Sequence, residues 1–193
     1  MRICFFLALI TCTTFFSANA AAQSRDFLTD DEVEIIRDAQ QIDQRIDVLI
    51  HAIDRRFSGL KVNMALPGKP ETKAWGTLPQ GTRLELLVDI KHILQKAIDD
   101  IDNISDRPDS MVLQPDEKDK KKPRGFADLF PKAVRSLAAA AERYKPVLKS
   151  ELDKTKEQWE KGPILDSLDL CDQITAAVAK LIPDAAATPG KKH

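Results

Sequence analysis

The sequence predicts an all-α protein, an up-and-down bundle of about four helices with two long non-helical connections. Three observations predict this class. Apolar residues recur every three to four positions in four stretches, which is the spacing of one buried helix face. Two stretches begin with the capping-box pattern Thr-x-x-Glu, at Thr29 and at Thr82. The glycines and most of the prolines lie between the stretches, whereas no long alternation of polar and apolar residues predicts a strand.

Residues 1–20 have the pattern of a cleaved signal peptide. Arg2 is followed by an apolar run, and Ser17 to Ala20 ends in an A-x-A cleavage pattern, with a second candidate cut after Ala22. Two alternatives are an uncleaved membrane anchor, since residues 3–22 are just long enough to span a bilayer, and a lipoprotein processed at Cys12. The small residues before the cut favour removal. The chain is therefore expected to be exported, to the periplasm or outside the cell, and to meet a membrane only for export.

Two helices are predicted from the capping boxes. The first runs from Thr29 to Leu60 as one long amphipathic helix, in which Arg56 takes a position where the pattern expects a core residue. The second runs from Thr82 to Ile104 and has a coiled-coil-like spacing of three and four. The apolar stripes of both are wider than a two-stranded seam, so a globular bundle is expected. In the connection 61–81, Trp75 and Leu78 are expected to cover one end of it.

The second half of the chain predicts two more helices. The connection 105–125 contains a charged run with a basic cluster at 120–124, which is expected to be solvated. Helix three runs from Phe126 to Gly162, with Asp128 as its N-cap and a kink or split at Pro146. Pro163 then opens helix four. Together these elements form a single helical-bundle domain over residues 27–182, followed by a flexible C-terminal tail over 183–193.

Candidate chemistry is sparse. Asp47 with His51, and Asp89 with His92, have the spacing of metal-ligand pairs on a helix, but both pairs lie off the apolar stripes and are expected to face solvent. Ser58-Gly59-Leu60-Lys61 matches Ser-x-x-Lys without the other motifs of that catalytic class. Cys171 would be the sole cysteine of the exported chain, and its place on an apolar stripe predicts a buried, inert thiol. No catalytic, cofactor-binding or metal-binding residue is therefore assigned.

These observations favour a non-enzymatic exported protein that acts as a binding or assembly module. Its helix faces would contact a protein partner or a second copy of the chain. Arg56, at a position where a core residue is expected, and the wide apolar stripes leave room for such a contact surface. The near-neutral charge, −1 in total, argues against a nucleic-acid binder. The alternative is a metal-binding or enzymatic bundle that uses inward acidic residues, which the sequence alone does not identify.

Overall fold

A computed structural model describes residues 26–62, 73–108, 125–178 and 181. These contain five α-helices and one short 3-10 turn, Lys73–Trp75; the helices are α1 (Asp30–Asp38), α2 (Ile42–Gly59), α3 (Arg83–Asp106), α4 (Phe126–Lys154) and α5 (Gln158–Val178). No strand occurs in these segments, so the all-α prediction is confirmed. The predicted signal peptide, the basic cluster at 120–124 and the predicted tail lie outside the described residues.

Both predicted capping boxes are present. Thr29 Oγ1 accepts a hydrogen bond from Glu32 N at 3.2 Å, and Thr29 N donates to Glu32 Oε2 at 3.0 Å. Thr82 and Glu85 exchange the same two bonds at the start of α3. Each box satisfies backbone N–H groups that have no partner within the helix, which is why these helices begin where the sequence predicts.

The predicted single helix from Thr29 to Leu60 is wrong. Residues 39–41 separate α1 from α2, and Arg45 Nε donates to the carbonyl of Ala39 at 3.3 Å, one of the carbonyls freed by the break. Glu32 then reaches Arg55 and Arg56, near the far end of α2. The break therefore lets α1 fold back along α2. The apolar periodicity continues across it because both helices pack on the same core.

The predicted boundary between the third and fourth helices is also wrong. The helix α4 is capped by Gly125 instead of Asp128, continues through Pro146 and ends at Lys154. The reversal occupies residues 155–157, where Thr155 Oγ1 donates to Glu160 Oε2 at 2.6 Å. The pair Gly162 and Pro163 lies within α5 as a result. Trp159 is 63% exposed near the start of α5.

Four helix pairs make most of the contacts: α2 with α3, α2 with α4, α3 with α5, and α4 with α5. Side-chain contacts give the directions. The parallel pairs are α2 with α4, through Asp43–Lys132 and Asp54–Arg143, and α3 with α5, through Arg83–Glu160 and Lys91–Asp166. The antiparallel pairs are α2 with α3, where Arg56 lies beside Asp89, and α4 with α5, where Lys145 contacts Asp172.

The predicted apolar stripes form the core between these helices. Ile46, Leu49 and Ile53 of α2 and Ile90, Ile93 and Leu94 of α3 are completely buried. Such burial contributes about 1.5–3 kcal/mol for each large aliphatic side chain. None of the described helices combines the length and apolar composition needed to cross a membrane.

Candidate functional site

The most unusual feature of the interior is a cluster of four buried charged residues, Glu32, Arg55, Arg56 and Asp89, which we call the arginine network. Glu32 lies in the first turn of α1, the two arginines lie near the end of α2, and Asp89 lies in α3. All four are at most 4% exposed. Charged side chains are rarely buried so completely unless they are paired.

Glu32 connects the network to the start of α1. Its Oε1 accepts hydrogen bonds from Arg55 Nη1, at 2.7 Å, and from Arg56 Nη1. Its Oε2 accepts from Thr29 N as part of the capping box. One carboxylate thus caps α1 and binds α1 to two adjacent arginines of α2.

The remaining N–H groups of the two arginines donate to backbone carbonyls in the segments that precede α1 and α3. Arg56 Nη2 donates to the carbonyl of Phe27 at 2.7 Å, and Arg55 Nη2 donates to the carbonyl of Thr77. Arg56 Nε lies 3.7 Å from Asp89 Oδ2, which brings a second negative charge into the network. The arginine network therefore contains two positive and two negative side chains.

The ring of Trp75, which lies in the 3-10 turn, packs against the arginine network. Its centroid lies 4.3 Å from that of His51, with the two planes at 66°, and the Arg55 guanidinium lies 5.5 Å from the Trp75 centroid. A cation over an indole face is attracted by the ring quadrupole. The prediction that Trp75 folds back onto the helices is confirmed, whereas Leu78 stays 38% exposed and does not form part of the core.

A second polar cluster joins α3, α4 and the start of α5. Arg83 contacts Glu151 at 2.8 Å and Glu160 at 3.0 Å, and Glu160 also accepts the bond from Thr155. Burial alone would raise the pKa of Glu151, but hydrogen bonds from Lys154 and Arg83 hold it below its ordinary value. The carboxylate of Glu151 is therefore stabilised in its charged form.

Two further acids of α2 pair with α4. Asp43 accepts from Lys132 Nζ at 2.6 Å, and Asp54 lies 3.4 Å from Arg143 Nη2. Burial raises the pKa of Asp54, and the charge of Arg143 opposes that change. Beside it, Tyr144 is completely buried and its hydroxyl donates to the carbonyl of Ile50 at 3.1 Å. Burial first, and the charge of Asp54 second, hold the pKa of Tyr144 well above its ordinary value.

The structure places the two members of each candidate metal pair in different surroundings. Asp47 is exposed, whereas His51 packs against Trp75. The expectation that Asp89 faces solvent is wrong, because it lies 4% exposed beside Arg56, while its partner His92 is exposed and contacts Phe27. In the part of the chain that the structure describes, no three His, Cys, Asp or Glu side chains are placed to hold a metal ion.

In the described segments, the Ser-x-x-Lys match and Cys171 also show no arrangement for catalysis. Ser58 Oγ donates to the carbonyl of Asp54 at 3.1 Å, and the side chain of Lys61 is exposed after the end of α2. Cys171 is completely buried, as predicted, and burial raises the pKa of its thiol to about 12. A thiol held protonated in this way is a poor nucleophile.

Sequence reasoning missed the six buried carboxylates of the described segments, although a signal for two of them exists. Asp43 lies seven residues after Ile36 and seven before Ile50, so it occupies a row that otherwise widens the apolar stripe. Asp89 lies three residues after Leu86 and four before Ile93, again on a row of apolar residues. The signal was an acid within an apolar row, and it predicts a buried ion pair.

Fold and site together define an all-α protein whose interior acids are neutralised by lysines and arginines from neighbouring helices. Comparison with known proteins finds no matching family model, no matching curated protein and no matching solved structure.

Proposed function

We propose that this chain is an exported, non-enzymatic helical protein that acts as a binding or assembly module in the periplasm or outside the cell. Export follows from the signal-peptide pattern of residues 1–20. The proposed action is contact through helix faces with a protein partner or with a second copy of the chain.

One observation carries the non-enzymatic part of the proposal. Each of the six buried carboxylates in the described segments lies within 4.0 Å of a lysine or arginine nitrogen; the acids are Glu32, Asp43, Asp54, Asp89, Glu151 and Glu160. Catalytic and metal-binding carboxylates in bundles instead converge on a shared position inside the helices. The six acids are divided among four clusters, each with its own lysine or arginine, and this division favours a role in positioning helices. Arg56 therefore supports the interior rather than the partner surface suggested by its sequence position.

We further propose that α2 to α5 form the scaffold of the module as an up-and-down four-helix bundle, with α1 added along α2. The antiparallel contacts of α2 with α3 and of α4 with α5 support this arrangement. The parallel contacts of α2 with α4 and of α3 with α5 support a spatial order in which α3 and α4 are diagonal neighbours. Such a scaffold leaves outer helix faces available for a partner.

Native mass spectrometry of the chain purified from its own host tests the proposal. We expect a species that starts at Ala21, carries no metal, and associates with another protein or with itself. A stoichiometric metal would instead favour the alternative, a metal-binding or enzymatic bundle built on inward acids. A chain that retains residues 1–20, or that is recovered inside the cell, would contradict the proposed export.

A further inference from the structure

An apolar groove with an acidic border lies where α3 ends, α4 begins and α5 ends. Its volume is about 320 Å³, close to the lower limit of ligand pockets in proteins. The apolar lining comes from all three helices and consists of Ile98, Ile101, Val134, Leu137, Ile174 and Ala177. Ile98 and Ile101 remain half-buried there, although Ile90, Ile93 and Leu94 earlier in α3 are completely buried. The core is thus open to solvent along this groove.

The α3 and α5 sides of the groove carry an excess of negative charge. Residues 95–106 of α3 and 166–178 of α5 contain seven aspartates and one lysine. Asp100, Asp166 and Asp172 pair with lysines, from Lys96, Lys91 and Lys145. The other four, Asp99, Asp102, Asp106 and Asp169, are exposed, and no lysine or arginine of the described segments forms an ion pair with them.

Three of these four acids are placed along the groove. Asp102 lines it directly. Asp106 lies one turn further along α3, on the same face as Asp102, because residues four apart are neighbours on a helix. Asp169 has the same relation to Gln173, which lines the groove from α5. An apolar floor is therefore flanked, on two parallel helices, by carboxylates that form no ion pair with a lysine or arginine of the described segments.

We propose that this groove binds a basic amphipathic helix of a partner protein. The apolar side chains of that helix would enter the groove at i, i+3 and i+4 spacing, and its lysines or arginines would face Asp102, Asp106 and Asp169. Apolar anchors supply affinity in this mode of recognition, and charge complementarity selects the partner and speeds association. The inference rests on the proposed binding function and names the chemistry of the partner.

Fluorescence anisotropy with the exported chain, residues 21–193, tests it. The probe is a labelled helical peptide of roughly 18 residues that contains only leucine and lysine in an amphipathic pattern. Its control is the same peptide with glutamate in place of lysine. We expect the lysine peptide to bind at least about tenfold more tightly than the glutamate peptide, and salt to weaken its binding. Equal binding of the two peptides would overturn the proposal.

Three variants separate the groove from a general attraction between opposite charges. The double variant Asp102→Lys with Asp106→Lys should weaken binding by about tenfold or more, whereas Asp153→Lys with Glu157→Lys, at exposed positions elsewhere, should change it less than about twofold. Ala176→Trp fills the groove from an exposed position without altering charge, and it should also abolish binding. Thermal melts show that each variant is folded. Unchanged binding in Ala176→Trp would overturn the groove as the site.

Size-exclusion chromatography with light scattering tests whether a second copy of the chain occupies the groove instead. A stable dimer that dissociates in Ala176→Trp would replace the basic helix with a second copy of the chain, and so overturn this inference. A partner found by native mass spectrometry that still binds the Ala176→Trp variant would overturn the inference as well, while the proposed binding function would stand.

Discussion

Glu32 shows at the scale of one residue how charge is accommodated in this protein. Its carboxylate is fully buried, yet it accepts hydrogen bonds from a backbone N–H and from two arginines. Removing a carboxylate from water costs several kcal/mol, and the bonds must offset that cost. The cost of removing Glu32 is therefore much larger than the net contribution of the ion pair to stability.

We expect Glu32→Ala to lower the free energy of unfolding by about 3–5 kcal/mol, because it removes the carboxylate that both buried arginines share. Urea denaturation followed by circular dichroism measures the change. Glu34→Ala is the matched control, since Glu34 lies in the same helix and pairs with Arg37 in solvent. It should leave the urea midpoint unchanged. Equal midpoints for the two variants would show that the arginine network is not coupled to folding.

Tyr144 offers a spectroscopic test of burial, because it is the sole tyrosine of the chain. Its raised pKa means that the folded state holds the neutral phenol beyond pH 10, where the unfolded chain ionises. Stability from this group is fully present below pH 10 and is lost as the pH rises from there towards the folded-state pKa. Absorbance at the tyrosinate band should therefore appear only together with the loss of helical circular dichroism. Ionisation near pH 10 in a chain that stays helical would contradict the burial of Tyr144.

At the scale of elements, contacts between residues far apart in the sequence set a helix boundary that the local sequence pattern did not predict. The helix starts at Thr29 and Thr82 were predictable, because a capping box is complete within four residues. The break at residues 39–41 was not, since no glycine or proline marks it and the apolar spacing continues through it. Its cause is the contact of Glu32 with arginines more than twenty residues away, which forces α1 to fold back. Tertiary contacts of this kind have no local signal.

Proline substitution distinguishes the observed break at residues 39–41 from the predicted continuous helix. Gln41 has φ −87° and ψ 141°, an extended conformation close to that of proline, and its N–H donates no hydrogen bond within the described segments. Gln41→Pro should therefore change the free energy of unfolding by less than about 1 kcal/mol. Asp47→Pro, at an exposed position inside α2, should cost about 3 kcal/mol or more. A continuous helix from Thr29 to Leu60 would make both substitutions equally damaging.

At the scale of the whole molecule, the sequence predicts the class and most of the core but not the polar interior. Periodicity identifies Ile42, Ile46, Ile90 and Leu94 as buried because hydrophobic burial follows from position on a helix face. The ion pairs depend on which helices become neighbours, and that order is not set by local pattern. Asp89 and Arg56 meet only because α3 lies antiparallel to α2. The candidate site was therefore beyond sequence reasoning, although acids within apolar rows gave a partial signal.

Ile42 and Ile90 test whether the predicted stripes support the whole fold. Ile42 is 3% exposed in the first turn of α2, and Ile90 is 0% exposed in α3. Aspartate at either position places a carboxylate in the apolar core, whereas each of the six buried native acids in the described segments lies beside a lysine or arginine. We therefore expect each variant to be unfolded at 25 °C. Gln44→Asp is the control, at an exposed position of the same turn as Ile42. It should melt like the parent by circular dichroism. If Ile42→Asp and Ile90→Asp also melted like the parent, the two helices would not share the core that the apolar spacing and the observed burial assign to them.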